Sequence, residues 1–213
     1  MQAQLTHFCQ YGNLESIKKL LQNNPNINIS YNNDSAFRIA CGYGHLAVAQ
    51  WLLSVKPDIN ISAEDDWAFL QACEMGHLEV AKWLLQVKPD INISTYEEYA
   101  FRQACSKGHL EVAQWLLSVK PAIDISACDD YAFGFAIYFR RLDIAQWLQS
   151  LKPYLYVIKY DYNGNYAGCK IRSKEEANWE KRKYALHMMT KQDNTKILYN
   201  LPIDISKTIA LFV

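Results

Sequence analysis

The chain has 213 residues, half of them apolar, and its 22 basic and 22 acidic side chains give a formal net charge of zero. That balance provides no long-range attraction to nucleic acid or to an anionic membrane, so neither is an expected partner. The opening Met1-Gln2-Ala3-Gln4-Leu5-Thr6-His7 lacks the basic region and apolar core of a signal peptide, no apolar run approaches the ~18 residues of a membrane span, and a soluble intracellular protein is expected.

The chain is organised by repetition. Ala68 to Ser94, AFLQACEMGHLEVAKWLLQVKPDINIS, reappears 32 residues later as Ala100 to Ser126 and 32 residues earlier as Ala36 to Ser62. Pro25, Pro57, Pro89, Pro121 and Pro153 keep the same spacing, as do Trp51, Trp83, Trp115 and Trp147. A fixed period of this length is the mark of an all-α solenoid built from supersecondary units. Five repeats are expected over residues 1–153, followed by a different region over 154–213.

Each repeat predicts two short helices. The first starts at Asp34, Asp66, Glu98 or Asp130, carries Ala-Phe-x-x-Ala-Cys in its complete copies, and ends at the Gly of Gly-His; acids cap a helix start and Gly supplies the left-handed turn after one. The second carries an apolar stripe at helical spacing, Leu78, Val80, Ala81, Trp83, Leu84 and Val87 in the third repeat, with Lys88 in its last turn and Pro89 as the stop. Asp-Ile-Asn-Ile-Ser, alternating and β-branched, predicts an extended arm into the next repeat.

In chain order, the first repeat is a cap: Phe8 replaces the small Ala, Asn13 replaces His, and its second helix is more polar, as a terminal repeat requires. Repeats two to four are regular. In the fifth, Gly-His becomes Arg140-Arg141, and Phe135, Tyr138 and Phe139 are added aromatics. At helical spacing these rings form either an exposed patch or extra core turned toward the segment after Pro153. Tyr154 to Ile171 predicts a β-hairpin around Asn163-Gly164. Ser173-Lys174-Glu175-Glu176 has capping-box spacing and opens a charged helix to Lys183, and a degenerate sixth repeat or cap is expected from Tyr184 to Ser206.

The register also disposes of the reactive residue types. Cys9, Cys41, Cys73 and Cys105 occupy one repeat position, and stacked helices about 8–10 Å apart hold such residues too far apart for a disulfide or a zinc site. They are expected as buried thiols, and His45, His77 and His109 as imidazoles that brace the turns. No nucleophile–base pair, phosphate-binding glycine loop or metal spacing is found, so no enzyme, cofactor or metal is expected.

The Gly76-His77-Leu78-Glu79-Val80 run and the helix pair resemble ankyrin repeats, although the family's Thr-Pro opening is lost and the finger between repeats is one residue shorter. The Ala-Phe-x-x-Ala-Cys and Trp-Leu-Leu phrasing is also similar to ankyrin proteins of giant DNA viruses of amoebae, which implies host cytoplasm. The first resemblance implies a non-enzymatic module that binds another protein through a concave face made of finger tips and first-helix ends. Carried onto this chain, the finger positions include Glu64, Asp65, Asp66, Glu97, Glu98, Asp129 and Asp130. The helix-end positions include Tyr43, Glu74, Met75, Ser106, Lys107, Tyr138 and Phe139, with Phe135 beside the last pair. The helix-end row changes in every repeat and holds the aromatic and Met side chains that anchor interfaces. The finger acids either cap helices and aid solubility or form a strip for a partner with a basic or amphipathic surface. A second reading comes from Leu201-Pro202-Ile203-Asp204-Ile205-Ser206-Lys207-Thr208-Ile209, which resembles the opening of an F-box segment and implies a ubiquitin-ligase adaptor.

Overall fold

A computed structural model describes residues 1–173, 175–180 and 183. The expected sixth repeat and the F-box-like segment lie outside them. The described helices are α1 (Gln2–Gln10), α2 (Leu14–Asn23), α3 (Tyr31–Gly42), α4 (Leu46–Val55), α5 (Ala63–Glu74), α6 (Leu78–Val87), α7 (Thr95–Lys107), α8 (Leu110–Val119), α9 (Ala127–Tyr138) and α10 (Leu142–Leu151). The strands are β1 (Tyr156–Tyr160) and β2 (Tyr166–Ile171). The chain forms two compact parts, Met1–Ile144 and the residues from Ala145 onward, and the division falls inside α10.

The first part is an all-α solenoid of stacked helix pairs. First helices α1, α3, α5, α7 and α9 pack in sequence order, each on its predecessor, and each of the first four also packs on its own second helix. The interior is a set of ladders with the sequence period. Phe37, Phe69, Phe101 and Phe133 are buried, as are Ala40, Ala72, Ala104 and Ala136, and Leu52, Leu84 and Leu116. Leu5 takes the Phe position in the first repeat and is likewise buried. Cys9, Cys41, Cys73 and Cys105 are buried free thiols, and burial alone raises their pKa, that of Cys9 to about 12. At ordinary pH they are neutral core side chains.

The tryptophans are less enclosed than their spacing suggests. Trp83 and Trp115 are half-buried, and each tilts against the phenylalanine of the preceding repeat, Phe37 at 6.1 Å and Phe69 at 6.3 Å between ring centroids. The leucine that comes after each is the fully buried residue, on the inward side of the stripe, and the indole lies at its edge.

The histidine position is a brace. Nε2 of His45 donates to the carbonyl of Gln10 at 2.8 Å, and His77 and His109 make the same backbone bond to Gly42 and Glu74. Each imidazole reaches back one repeat and lies against the turn glycine there. A Cβ on Gly44 would stand 2.4 Å from Nδ1 of His77, and Gly44 has φ +81°, so that turn requires glycine twice over. In the fifth repeat Arg141 takes the histidine's place beside Gly108.

The arms and helix starts differ from expectation. The Asp-Ile-Asn-Ile-Ser segments run as consecutive turns, not strands: Asn60, Asn92 and Asp124 accept the amide two residues on (Ser62, Ser94, Ser126), while Ile59, Ile91 and Ile123 turn inward and are buried. Asp34 and Asp66, expected to cap their helices, anchor the backbone of an arm instead. Oδ2 of Asp34 accepts the amide of Asn60 at 3.0 Å, and Oδ2 of Asp66 accepts that of Asn92 at 3.1 Å, so each carboxylate holds the arm that leads out of its own repeat. Lys88 lies just beyond α6 and pairs with Asp90 at 2.8 Å on the surface.

In the second part, β1 and β2 pair antiparallel, Tyr156 with Ile171 through Tyr160 with Tyr166, with an irregularity between Lys159 and Tyr160. The connection is longer than a two-residue Asn-Gly turn. Asp161 accepts the amides of Asn163 and Asn165, and Gly164 adopts φ +81°. Residues 175–180 are helical. They open with a reciprocal capping box, since Glu176 donates its amide to the Ser173 hydroxyl at 3.1 Å and accepts the Ser173 amide at 2.9 Å.

Candidate partner-binding face

The fingers are turns of left-handed helix. Asn32-Asn33-Asp34, Glu64-Asp65-Asp66, Tyr96-Glu97-Glu98 and Cys128-Asp129-Asp130 all have φ between 52° and 64°. For residues with a Cβ this conformation costs roughly 1–2 kcal/mol each, so neighbouring groups must hold it. Three sets do. The buried Asp34 and Asp66 bond the next arm. Adjacent fingers bond side chain to side chain: Asn33 Nδ2 donates to Glu64, the Tyr96 hydroxyl to Asp65 and the Cys128 thiol to Glu97. Arg38 and Arg102 fork back onto their own fingers, Arg38 onto the carbonyls of Asn33 and Asn32, Arg102 onto those of Glu97 and Tyr96.

This division of labour splits the acids. Glu64, Asp65, Glu97 and Asp129 are exposed and make an acidic edge. Asp66 is only 8% exposed and is structural. Glu98 and Asp130 are half-buried, and both carboxylate oxygens of Glu98 take the Ser94 hydroxyl. Bonding to acids changes their partners too: the carboxylate of Asp65 pushes the Tyr96 phenol above its ordinary pKa, and that of Glu97 does the same to the Cys128 thiol. Both donors stay protonated near neutrality, as their bonds require.

The helix-end row is also uneven. Tyr43 and Met75 are exposed, with the Tyr43 hydroxyl accepting from Gln10 at 3.0 Å. Glu74 lies deeper. Its carboxylate accepts from the Tyr99 hydroxyl at 2.7 Å and from Gln71 at 2.9 Å, with the exposed Lys107 ammonium 3.8 Å away. Burial first and this bond second raise the Tyr99 phenol to about 12. Ser106 is buried and donates to the carbonyl of Gln103, which takes it off the surface.

In the fifth repeat the added rings are exposed, Phe135 by 36%, Tyr138 by 76% and Phe139 by 49%. Tyr138 and Phe139 meet edge to face at 5.0 Å, and Phe135 lies 6.1 and 5.8 Å from them. Phe135 stacks on Tyr131 at 4.1 Å, and the Arg102 guanidinium sits 4.9 Å over the Tyr131 ring. A continuous strip therefore joins the Tyr96-Glu97-Glu98 finger to the aromatic end of α9. Sequence reasoning missed Tyr131 and Arg102 as part of it. The signal was available, since Trp67, Tyr99 and Tyr131 share one repeat position.

Residues 5–53 and 69–117 match the family model for ankyrin repeats (many copies). No curated protein matches the chain. Among the described residues no helix is long and apolar enough to cross a membrane.

Proposed function

We propose that the chain is an ankyrin-repeat protein, a protein–protein interaction module, and that it holds its partner along the first-helix face between the finger edge and the aromatic end of α9. The observation that carries this reading is the contrast within one period: Phe37, Phe69, Phe101 and Phe133 are identical and buried, whereas Tyr43, Met75, Lys107 and Phe139 differ and are exposed. Positions that packing does not fix are the ones left to recognition. The partner supplies a basic or amphipathic surface, because Glu64, Asp65, Glu97 and Asp129 line one side of that face and exposed rings close its end. The phrasing shared with giant-virus ankyrin proteins belongs to the same reading and would put the complex in host cytoplasm.

The two halves of the face act at different stages. Exposed charges govern encounter and are screened beyond ~8 Å at physiological salt. Enclosed aromatic anchors govern release, at ≥ ~2 kcal/mol for a true hot spot. Affinity capture with mass spectrometry would supply the partner. Against it, the double variant Tyr138→Ala, Phe139→Ala is expected to dissociate faster. The triple variant Asp65→Lys, Glu97→Lys, Asp129→Lys is expected to associate more slowly, most of all at low salt. Folded variants with wild-type rates in both arms would remove this face from consideration.

A further inference from the structure

The fingers of repeats two and four are completed by an arginine of their own helix. Nε of Arg38 lies 2.9 Å from the Asn33 carbonyl and Nη2 3.0 Å from that of Asn32. Arg102 repeats the arrangement at 2.7 Å to Glu97 and 2.8 Å to Tyr96. The other two fingers are treated differently. Repeat three has Leu70 at this position, and Leu70 is fully buried. Repeat five has Gly134, where an added Cβ would meet nothing within 4 Å.

The finger of the fifth repeat nevertheless has the same backbone. Cys128, Asp129 and Asp130 have φ/ψ of 54/55, 54/50 and 61/31, against 52/51, 54/58 and 63/34 for Tyr96, Glu97 and Glu98. The carbonyls of Cys128 and Asp129 are thus disposed as those that receive a guanidinium fork in repeats two and four. Among the described residues no side chain donates to them. The Asp129 carboxylate is exposed beside them. Tyr131 and Tyr138 stand three residues before and four after Gly134, spacings that put them on the same helix face. Glycine in mid-helix carries a conformational penalty, and here its bare backbone leaves room for an incoming side chain.

We propose that the finger of the fifth repeat is a slot for an arginine side chain of the partner, which donates its fork to the carbonyls of Cys128 and Asp129 above Gly134. Arginine suits the slot better than lysine, because its donors form a rigid planar fork, whereas an ammonium is a compact point charge. The exposed Asp129 carboxylate beside the slot favours a cation. A methylated ammonium between the rings is a poorer fit: Phe135, Tyr138 and Phe139 are 5.0 to 6.1 Å apart and in contact with one another, leaving no cage. The proposal rests on the partner-binding reading of this face, but its test does not need the partner.

The probe is N-acetyl-arginine methylamide, titrated into isotope-labelled protein by NMR, with the lysine and citrulline analogues as controls. The arginine probe is expected to move the amides of residues 128–135 saturably, and the controls to move them less. Gly134→Arg lets the chain fill its own slot and Gly134→Leu puts an apolar side chain where the guanidinium would lie, so either variant should abolish the response. Gly134→Ala should raise the melting temperature and keep the response. No response in the wild type, an equal response to lysine, or an undiminished response in a folded Gly134→Arg or Gly134→Leu would overturn the proposal. Probe binding here with a partner indifferent to the face substitutions would keep the slot and remove the face; the reverse would remove the slot alone.

Discussion

The interior of the repeats and their fingers obey the same 32-residue period and use it in opposite ways. Inside, Phe69, Ala72, Cys73 and Leu84 recur because each fills the same volume against the same neighbours. At the fingers the backbone recurs while the residues change, Asn-Asn-Asp, Glu-Asp-Asp, Tyr-Glu-Glu, Cys-Asp-Asp. A core repeats its side chains because packing reads volume. A finger repeats only its dihedrals, held by whichever hydrogen bonds the local residues can make. Stability is therefore concentrated in the ladders and variability in the fingers, and substitutions in the two places should differ in size.

The largest effect is expected at the phenylalanine ladder. Phe101→Ala empties a site that is 1% exposed and should cost about 3–5 kcal/mol by urea unfolding. Trp115→Ala, at the half-buried edge position, should cost less, because part of its surface already stays in water and the site it leaves can fill with solvent. Equal costs at the two positions would break the distinction between ladder and edge. Because neighbours transmit stability in a solenoid, hydrogen exchange should show repeats three to five loosening together in Phe101→Ala.

The same distinction decided which features were legible in the sequence. Ladder residues were readable because burial fixes chemistry as well as position, so the period exposes Phe37, Cys41 and Leu52 at once. The hairpin and the Ser173 capping box were readable for a similar reason, since turn and cap chemistry is local. The left-handed fingers were not. Tyr96-Glu97-Glu98 contains no glycine and no Asn or Asp to favour the left-handed region, and the groups that hold it lie elsewhere, in Arg102, Asp65 and Cys128. For the same reason Asp66 was expected as a helix cap or part of an acidic strip and is an arm anchor, and Ser106 was expected as a contact and is buried.

A middle-sized effect should come from the turn glycines, where both uses of the period meet. Gly76 has φ +81°, and a Cβ there would lie 2.4 Å from Nδ1 of His109. Gly76→Ala should therefore cost more than the ~1 kcal/mol of an ordinary misplaced alanine. Adding His109→Ala removes the collision and leaves the backbone penalty, so the double variant should be more stable than the sum of the singles predicts. Strict additivity would mean that the imidazole yields freely and is no brace.

The smallest effect concerns protons on the histidine brace. Burial, and then the neighbouring His109 and His45, push His77 below its ordinary value of 6.5; burial, and then Arg141, do the same to His109. A folded-state pKa below the unfolded one means that the unfolded chain binds more protons in this range, so stability rises with pH. The contribution is intact above pH 6.5 and is lost as pH falls from there through the folded values. The exposed carboxylates Asp58 and Asp90, lowered by Lys56 and Lys88, act in the same direction but only below their ordinary 3.8, so the two windows separate. Glutamine can donate to the Gly42 carbonyl without titrating. His77→Gln should therefore flatten the fall of the urea midpoint between pH 6.5 and 5 and leave the steeper acid loss below pH 4 unchanged. A wild-type midpoint that is level down to pH 5 would show that the imidazoles charge without leaving their carbonyls, and the brace would then be a bond indifferent to its proton.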